Sequence, residues 1–280
     1  MKNKSSFSFG TRFRQSLSES RRMVVKVGSK VLVNAKGEPD AACIRRLARQ
    51  IAALCRNKVQ VVLVSSGAIA AGMRAFEMAE RPDAVPDLQM CAAVGQVRLM
   101  RLYHDAFAKE GITIGQVLLT HDDFVRKLSV ANMRRTMDDL LRHGVVPIVN
   151  ENDVVADEEV KAFMTLGDND HLASLIALQT RSDLLVMLSA VDGLRRPREN
   201  GTGTERIPFV EKIDRTITAL VRPPDAGAIS KGGMDSKLKC AKACMQAGCN
   251  VVIADGCRKD VLTRIYAGED EGTLFAAAPL

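Results

Sequence analysis

Tryptophan is absent from this 280-residue chain, and aromatic residues make up only 4% of it. Platforms that stack single-stranded bases need aromatic faces, so a nucleic-acid function of that kind is disfavoured. The core must instead be aliphatic, and 46% hydrophobic content supplies the side chains for one. No apolar run approaches the roughly 20 residues of a membrane-spanning helix, and there is no secretory h-region. Cys43, Cys55, Cys91, Cys240, Cys244, Cys249 and Cys257 are odd in number and form no C-x-x-C pair. Cys240 and Cys244, helix neighbours, read as packing thiols rather than ligands, and the chain as intracellular and reduced, with a cytoplasmic location expected. The four histidines are scattered, without the spacing of a zinc site. Both common phosphate signatures are missing too: neither G-x-x-x-x-G-K-[ST] nor G-x-G-x-x-G occurs.

Acidic residues run short only in the first 22 positions, where Lys2, Lys4, Arg12, Arg14, Arg21 and Arg22 face Glu19 alone. Most of the net charge of +7 lies there, which leaves the body of the chain an ordinary solvated surface rather than a polyanion binder. Serines and Phe7, Phe9 and Phe13 complete the arm. Its composition predicts a leader without structure, with organellar targeting as the alternative. Residues 23–280 are expected to form a single domain.

Short apolar runs alternate with helical patterns along that domain. Strands are predicted at 23–27, 60–65, 112–118, 145–149, 184–189 and 250–254. Between the first two, Ile44, Leu47, Ile51 and Leu54 recur at helical spacing. Further helices are predicted at about 86–109, 122–142, 170–180, 233–246 and 258–266. Strands that lack polar alternation and alternate with helices imply an α/β fold: an open, mostly parallel sheet sandwiched between helices. The charged, turn-rich stretch 195–211 is expected to be an exposed excursion such as a hairpin.

In open α/β sheets, ligands gather beyond the carboxyl ends of the strands. Four such ends are rich in small or polar residues: "KVGSK", "SSGA", "NENDVV" and "SAVDG". Lys26 sits inside the first apolar run, followed by Gly28 and Ser29. A strand-end lysine ordinarily snorkels to water; the alternative is a cation fixed at the sheet edge, with Gly28 admitting a phosphate to backbone N–H groups. Ser65, Ser66 and Gly67 lead a strand into a helix, either as a plain N-cap or as an anion seat. Asn150, Glu151, Asn152, Asp153, Asp168, Asn169 and Asp170 gather carboxylates and amides that suit an ammonium group, a magnesium ion or both. "SKGGMDSK" (230–237) places two glycines before a helix with Lys237 in its first turn, where the helix dipole disfavours a cation unless an anion is near.

Taken together, "VVKVGSKVL", "VSSGAIAAG", "AAVGQVRLM", "QVLLTHDDF", "VVPIVNENDVV", "GDND", "GGMDSK" and "GTLF" resemble the amino acid kinase family, in its glutamate 5-kinase branch. The likeness runs from about 23 to 275. It implies transfer of the ATP γ-phosphoryl group to the side-chain carboxylate of L-glutamate, giving L-glutamyl 5-phosphate, the first step of proline biosynthesis. By position in these motifs, Lys26 and Lys237 would stabilise the transferring group. Asp170 would orient the lysines and assist Mg2+. Ser66, Gly67, Asp153, Asp168 and Asn169 would bind glutamate. ATP would be contacted by Lys26, Gly28, Ser29, Ser189, Ala190, Lys231, Gly232, Gly233, Met234, Asp235, Ser236 and Lys237. The resemblance also implies a homo-oligomer (dimer or tetramer) and a glutamyl-phosphate reductase as partner for a labile product. The charge distribution, the scarcity of aromatics and the lack of a spanning run predict no partnership with nucleic acid or membrane.

Four features depart from the family pattern. Ala190 stands where an acidic residue is usual, and "AFMT" (162–165) looks inserted before "GDND". "SK" replaces Gly-Thr before Gly232, and no C-terminal PUA domain is expected. The rival readings are another family enzyme, an acetylglutamate or uridylate kinase, and a non-catalytic regulatory homologue that binds amino acids.

Overall fold

The computed structural model describes residues 3–34, 37–155, 169–198, 201–221 and 233–277. The chain packs as two compact units, 26–165 and 1–25 with 166–280. The strands of the unit 26–165 follow the order β3-β4-β2, and those of the other unit the order β1-β5-β9-β10-β8. They are β1 (Arg22–Val27), β2 (Gln60–Ser65), β3 (Ile114–Leu119), β4 (Val146–Glu151), β5 (Leu184–Ser189), β8 (Phe209–Val210), β9 (Asn250–Asp255) and β10 (Thr273–Phe275). A separate antiparallel hairpin pairs β6 (Arg195–Pro197) with β7 (Thr204–Arg206), as the turn-rich stretch predicts.

In the unit 26–165, β2 and β3 both run parallel to β4, with Leu63 opposite Ile148 and Ile114 opposite Val146. Helix α3 (Ala41–Arg56) begins at Asp40, whose carboxylate accepts from the N–H groups of Ala42 (2.8 Å) and Cys43 (3.0 Å). This satisfies two donors that a helix start leaves orphaned. Its Ile44, Leu47, Ile51 and Leu54 are all buried, on the face that their spacing predicts. Helix α4 (Ala68–Met73) and the long α5 (Val85–Ala108) meet backbone to backbone. A Cβ on Gly72 would lie 1.8 Å from the carbonyl oxygen of Cys91, and one on Gly95 would lie 1.8 Å from that of Ala68. Only glycine permits so close an approach.

The predicted helix 122–142 is interrupted. A single turn, α6 (Asp122–Val125), precedes α7 (Lys127–Arg142), because Arg126 is extended at φ −81°, ψ 114°. Asp123 ties the short turn back on itself by accepting from the N–H (2.8 Å) and Oγ1 (2.9 Å) of Thr120.

In the other unit, β5 and β9 pair in parallel from Leu184–Asn250 to Ser189–Asp255. Strand β10 runs antiparallel to β9 and parallel to β8. Helices α8 (Asn169–Gln179), α10 (Met234–Gln246) and α11 (Val261–Tyr266) pack on these strands, and the short α9 (Arg215–Ala219) begins at Asp214. Strands β8 and β10 are two and three residues long, too short for a periodic signal in sequence.

The first 22 residues differ from the structureless leader that their composition predicts. Asn3–Ser16 form helix α1, and Arg14 at its end is buried. Its guanidinium donates to the backbone oxygens of Pro208 (2.7 Å), Glu269, Glu271 and Gly272 (each 2.9 Å) and pairs with Asp270 at 3.0 Å. Phe13 lies 5.7 Å from the ring of Phe209. An arginine whose terminal nitrogens find acceptors can be buried, which a count of charges does not reveal.

Candidate active site

Within the unit 26–165, the candidate residues occupy the carboxyl ends of parallel strands. Lys26 is buried at 4% exposure in β1, one residue before the strand ends. Gly28 then caps a single helical turn, α2 (Ser29–Leu32), accepting from Val31 (3.0 Å) and Leu32 (3.2 Å). Its φ of −76° is open to any residue, so glycine is not required there for backbone conformation. Ser29 and Lys30 are exposed beside it.

After β2 the chain turns through Ser65, Ser66 and Gly67 into α4. Gly67 has φ 101°, a left-handed conformation that other residues adopt only at a cost. It is also the N-cap, a position that here carries no side chain. Ser65 is fully buried and bonds Tyr103 of α5 at 2.8 Å; burial pushes the Tyr103 hydroxyl well above its usual pKa, against the pull of that bond. One step beyond the Val64–Val149 pair, Asn150 ends the buried part of β4 beside Ser65. Glu151, Asn152 and Asp153 follow, each half-buried, and the N–H of Asn152 bonds the carbonyl of Leu119 at 2.9 Å.

Sequence reasoning assigns no role to Gln96, although it lies in the quoted "AAVGQVRLM". Its Oε1 accepts from Asn150 Nδ2 at 3.0 Å, inside the unit. Its Nε2 is buried and has no hydrogen-bond partner. Such an orphaned donor costs about 1–3 kcal/mol. A glutamine at a helix position otherwise turned to the core was the one available signal.

The other unit brings together two residues from separate motifs. Asp170, in the first turn of α8, is fully buried, and its Oδ2 lies 2.8 Å from Lys237 Nζ. Lys237 stands in the first turn of α10 and is 6% exposed. The anion that a cation needs at this helix start is thus present in the protein itself. Asn169 opens α8, and Gly233, extended at φ −67° and ψ 175°, caps α10. Met234 and Asp235 are half-buried, and Asp235 pairs with Lys239 at 2.7 Å. The Ser236 hydroxyl is buried without a hydrogen-bond partner. Ser189 ends β5 half-buried, with Ala190 exposed after it. Asp168, Lys231, Gly232 and the segment 162–165 lie outside the described residues.

An α/β sheet with polar residues at its strand ends, and a buried lysine–aspartate pair at a helix start, defines a class before it defines an enzyme. The family model of the amino acid kinase family matches residues 21–255, and the chain belongs to that family. Glutamate 5-kinase of Pelobacter propionicus is 39% identical over 264 residues, covering 94% of this chain and 69% of its own length. Glutamate 5-kinase of Listeria monocytogenes is 40% identical over 269 residues, covering 94% and 96%. Among solved structures, carbamate kinase from Giardia lamblia bound to AMP-PNP superposes with a TM-score of 0.64 at 16% identity, covering 93% of this chain and all of that one. UMP kinase from Ureaplasma parvum gives 0.57 at 14%, covering 91% and 98%. These two likenesses establish the fold alone.

Proposed function

We propose that this protein transfers the γ-phosphoryl group of ATP to the side-chain carboxylate of L-glutamate, forming L-glutamyl 5-phosphate at the entry to proline biosynthesis. The observation that carries the reading is identity near 40% to enzymes named glutamate 5-kinase over 94% of the chain.

The chemistry agrees with the residues. A carboxylate is already nucleophilic, so no general base is needed. Both reactants are anions, and the protein's task is to neutralise charge and align them. In this reading Lys237, held by Asp170, and Lys26 neutralise the transferring group. Ser66, Gly67, Asp153, Asp168 and Asn169 bind glutamate, the acids facing its ammonium group. Gly28, Ser29, Ser189, Ala190 and the segment 231–237 contact ATP.

No cluster of three metal-ligating side chains occurs among the described residues. Mg2+ is commonly held by one or two carboxylates together with substrate phosphates. Asp170 is the carboxylate that would assist it, and the ion would supply charge neutralisation on the phosphates. No described helix is long and apolar enough to cross a membrane. A cytoplasmic homo-oligomer, a dimer or tetramer, that hands its labile product to a glutamyl-phosphate reductase completes the proposal.

The test is hydroxylamine trapping of the acyl phosphate with ATP and L-glutamate, with N-acetylglutamate, aspartate and UMP as rival acceptors. Glutamate-dependent hydroxamate is expected. Turnover with UMP alone, or glutamate binding without ATP consumption at high enzyme concentration, would overturn the proposal.

A further inference from the structure

We infer that Gln96 is a positioning residue for acceptor binding, acting through Asn150. This rests on the reading of the strand ends in unit 26–165 as the acceptor side of the proposed reaction. Natural cores rarely keep a polar group that is half satisfied, because an apolar side chain of similar volume fills the space without desolvating a donor. Gln96 is 9% exposed, its Nε2 is unpaired, and its one hydrogen bond goes to Asn150. Packing alone favours leucine here, so what glutamine adds is control of the Asn150 carboxamide. A side-chain amide can rotate or flip, and the acceptor at Gln96 Oε1 fixes which way Nδ2 points.

Three contacts show why that orientation matters. Asn150 sits at the carboxyl end of β4, next to Ser65 and three residues before Asp153. The backbone at Gly95 lies against the carbonyl of Ala68, so Gln96 reaches Asn150 from beside the Ser66–Gly67 turn. Tyr103, two helical turns further along α5, holds Ser65 in the same way. Helix α5 thus fixes the tips of both β2 and β4. A small acid bearing a carboxylate and an ammonium is the ligand that a serine, a carboxamide and an aspartate at these tips would take.

The experiment is a double-mutant cycle of Gln96→Leu and Asn150→Ala in the full chain, read as KM for L-glutamate, KM for ATP, kcat and Tm. Gln96→Leu is expected to raise the glutamate KM about tenfold, the scale of one lost hydrogen bond, and to leave the ATP KM within about twofold. In the Asn150→Ala background the same change is expected to have little further effect, because coupled residues are non-additive. Additive effects, an unchanged glutamate KM, or parallel losses in both KM values and Tm would overturn the inference. Should Gln96→Leu fail to fold, Gln96→Glu keeps an oxygen toward Asn150 Nδ2 and is expected to leave the glutamate KM near wild type while Asn150→Ala raises it. A rise in Gln96→Glu equal to that of Asn150→Ala would overturn the inference. Wild-type protein that makes no glutamyl hydroxamate but is stabilised by L-glutamate would sink only the catalytic proposal. The cycle would then be read on the glutamate-induced shift in Tm. Wild-type protein neither active on glutamate nor stabilised by it would overturn both.

Discussion

Lys237→Met removes an ammonium group while keeping most of the side chain's volume, and it takes a cationic partner from the fully buried Asp170 carboxylate. The pair is close, at 2.8 Å, and both partners are buried, with side chains 7% and 0% exposed. Breaking such a pair by removing one partner costs about 3–5 kcal/mol, mostly the penalty of an uncompensated buried charge. In a chain of this size that corresponds to a fall in Tm of roughly 10 °C. The double variant Lys237→Met/Asp170→Asn removes both charges together. It should regain most of the lost stability, since a buried pair is worth little more than a well-packed neutral replacement. Turnover should behave differently. If Lys237 neutralises the transferring phosphoryl group, both variants lose about 10²–10³ in kcat, and the double variant recovers none of it. Differential scanning calorimetry and a hydroxamate assay on wild type and the two variants separate the two roles. A loss below about 1 kcal/mol for Lys237→Met would refute the buried pairing. A double variant that regained wild-type turnover would refute the catalytic role.

Gly95→Ala should destabilise by several kcal/mol, because its Cβ would lie 1.8 Å from the Ala68 carbonyl and α4 and α5 would have to part; urea denaturation measures this. Burial alone would raise the pKa of Asp270, but the hydrogen bond from Arg206 and the charges of Arg14 and Arg206 outweigh it, leaving the carboxyl below its usual 3.8. A depressed folded-state pKa contributes stability above the unfolded value that is lost as pH falls through the folded one. Asp270→Asn should therefore destabilise at pH 7, and the gap to wild type should narrow below about pH 4; denaturation midpoints at both pH values check the sign. Among the described cysteines, the exposed Cys257 should react first with a thiol reagent at pH 7. Cys55 should lag, since burial pushes its thiol up to about 11; mass mapping after brief alkylation reads the order.

The class of fold was legible because burial leaves a local imprint. Runs such as "QVVLVS" and "LLVMLS" are apolar without alternation, as strands covered on both faces must be, and Ile44, Leu47, Ile51 and Leu54 mark the inner face of α3. The lengths of β8 and β10, and the break at Arg126, left no comparable imprint. At two or three residues, or one pair of backbone dihedrals, there is no period to read.

Sequence alone determined which segments leave water and which strand ends carry lysine, serine, amide and carboxylate. Those properties belong to neighbouring residues and repeat at fixed spacings. Tertiary structure alone decided who pairs with whom: Lys237 with Asp170 across 67 positions, Asn150 with Gln96 across 54, and Arg14 with carbonyls more than 190 residues away. Burying a charge or an amide is costly unless its donors and acceptors find partners, and the chain brings those partners together only when it folds.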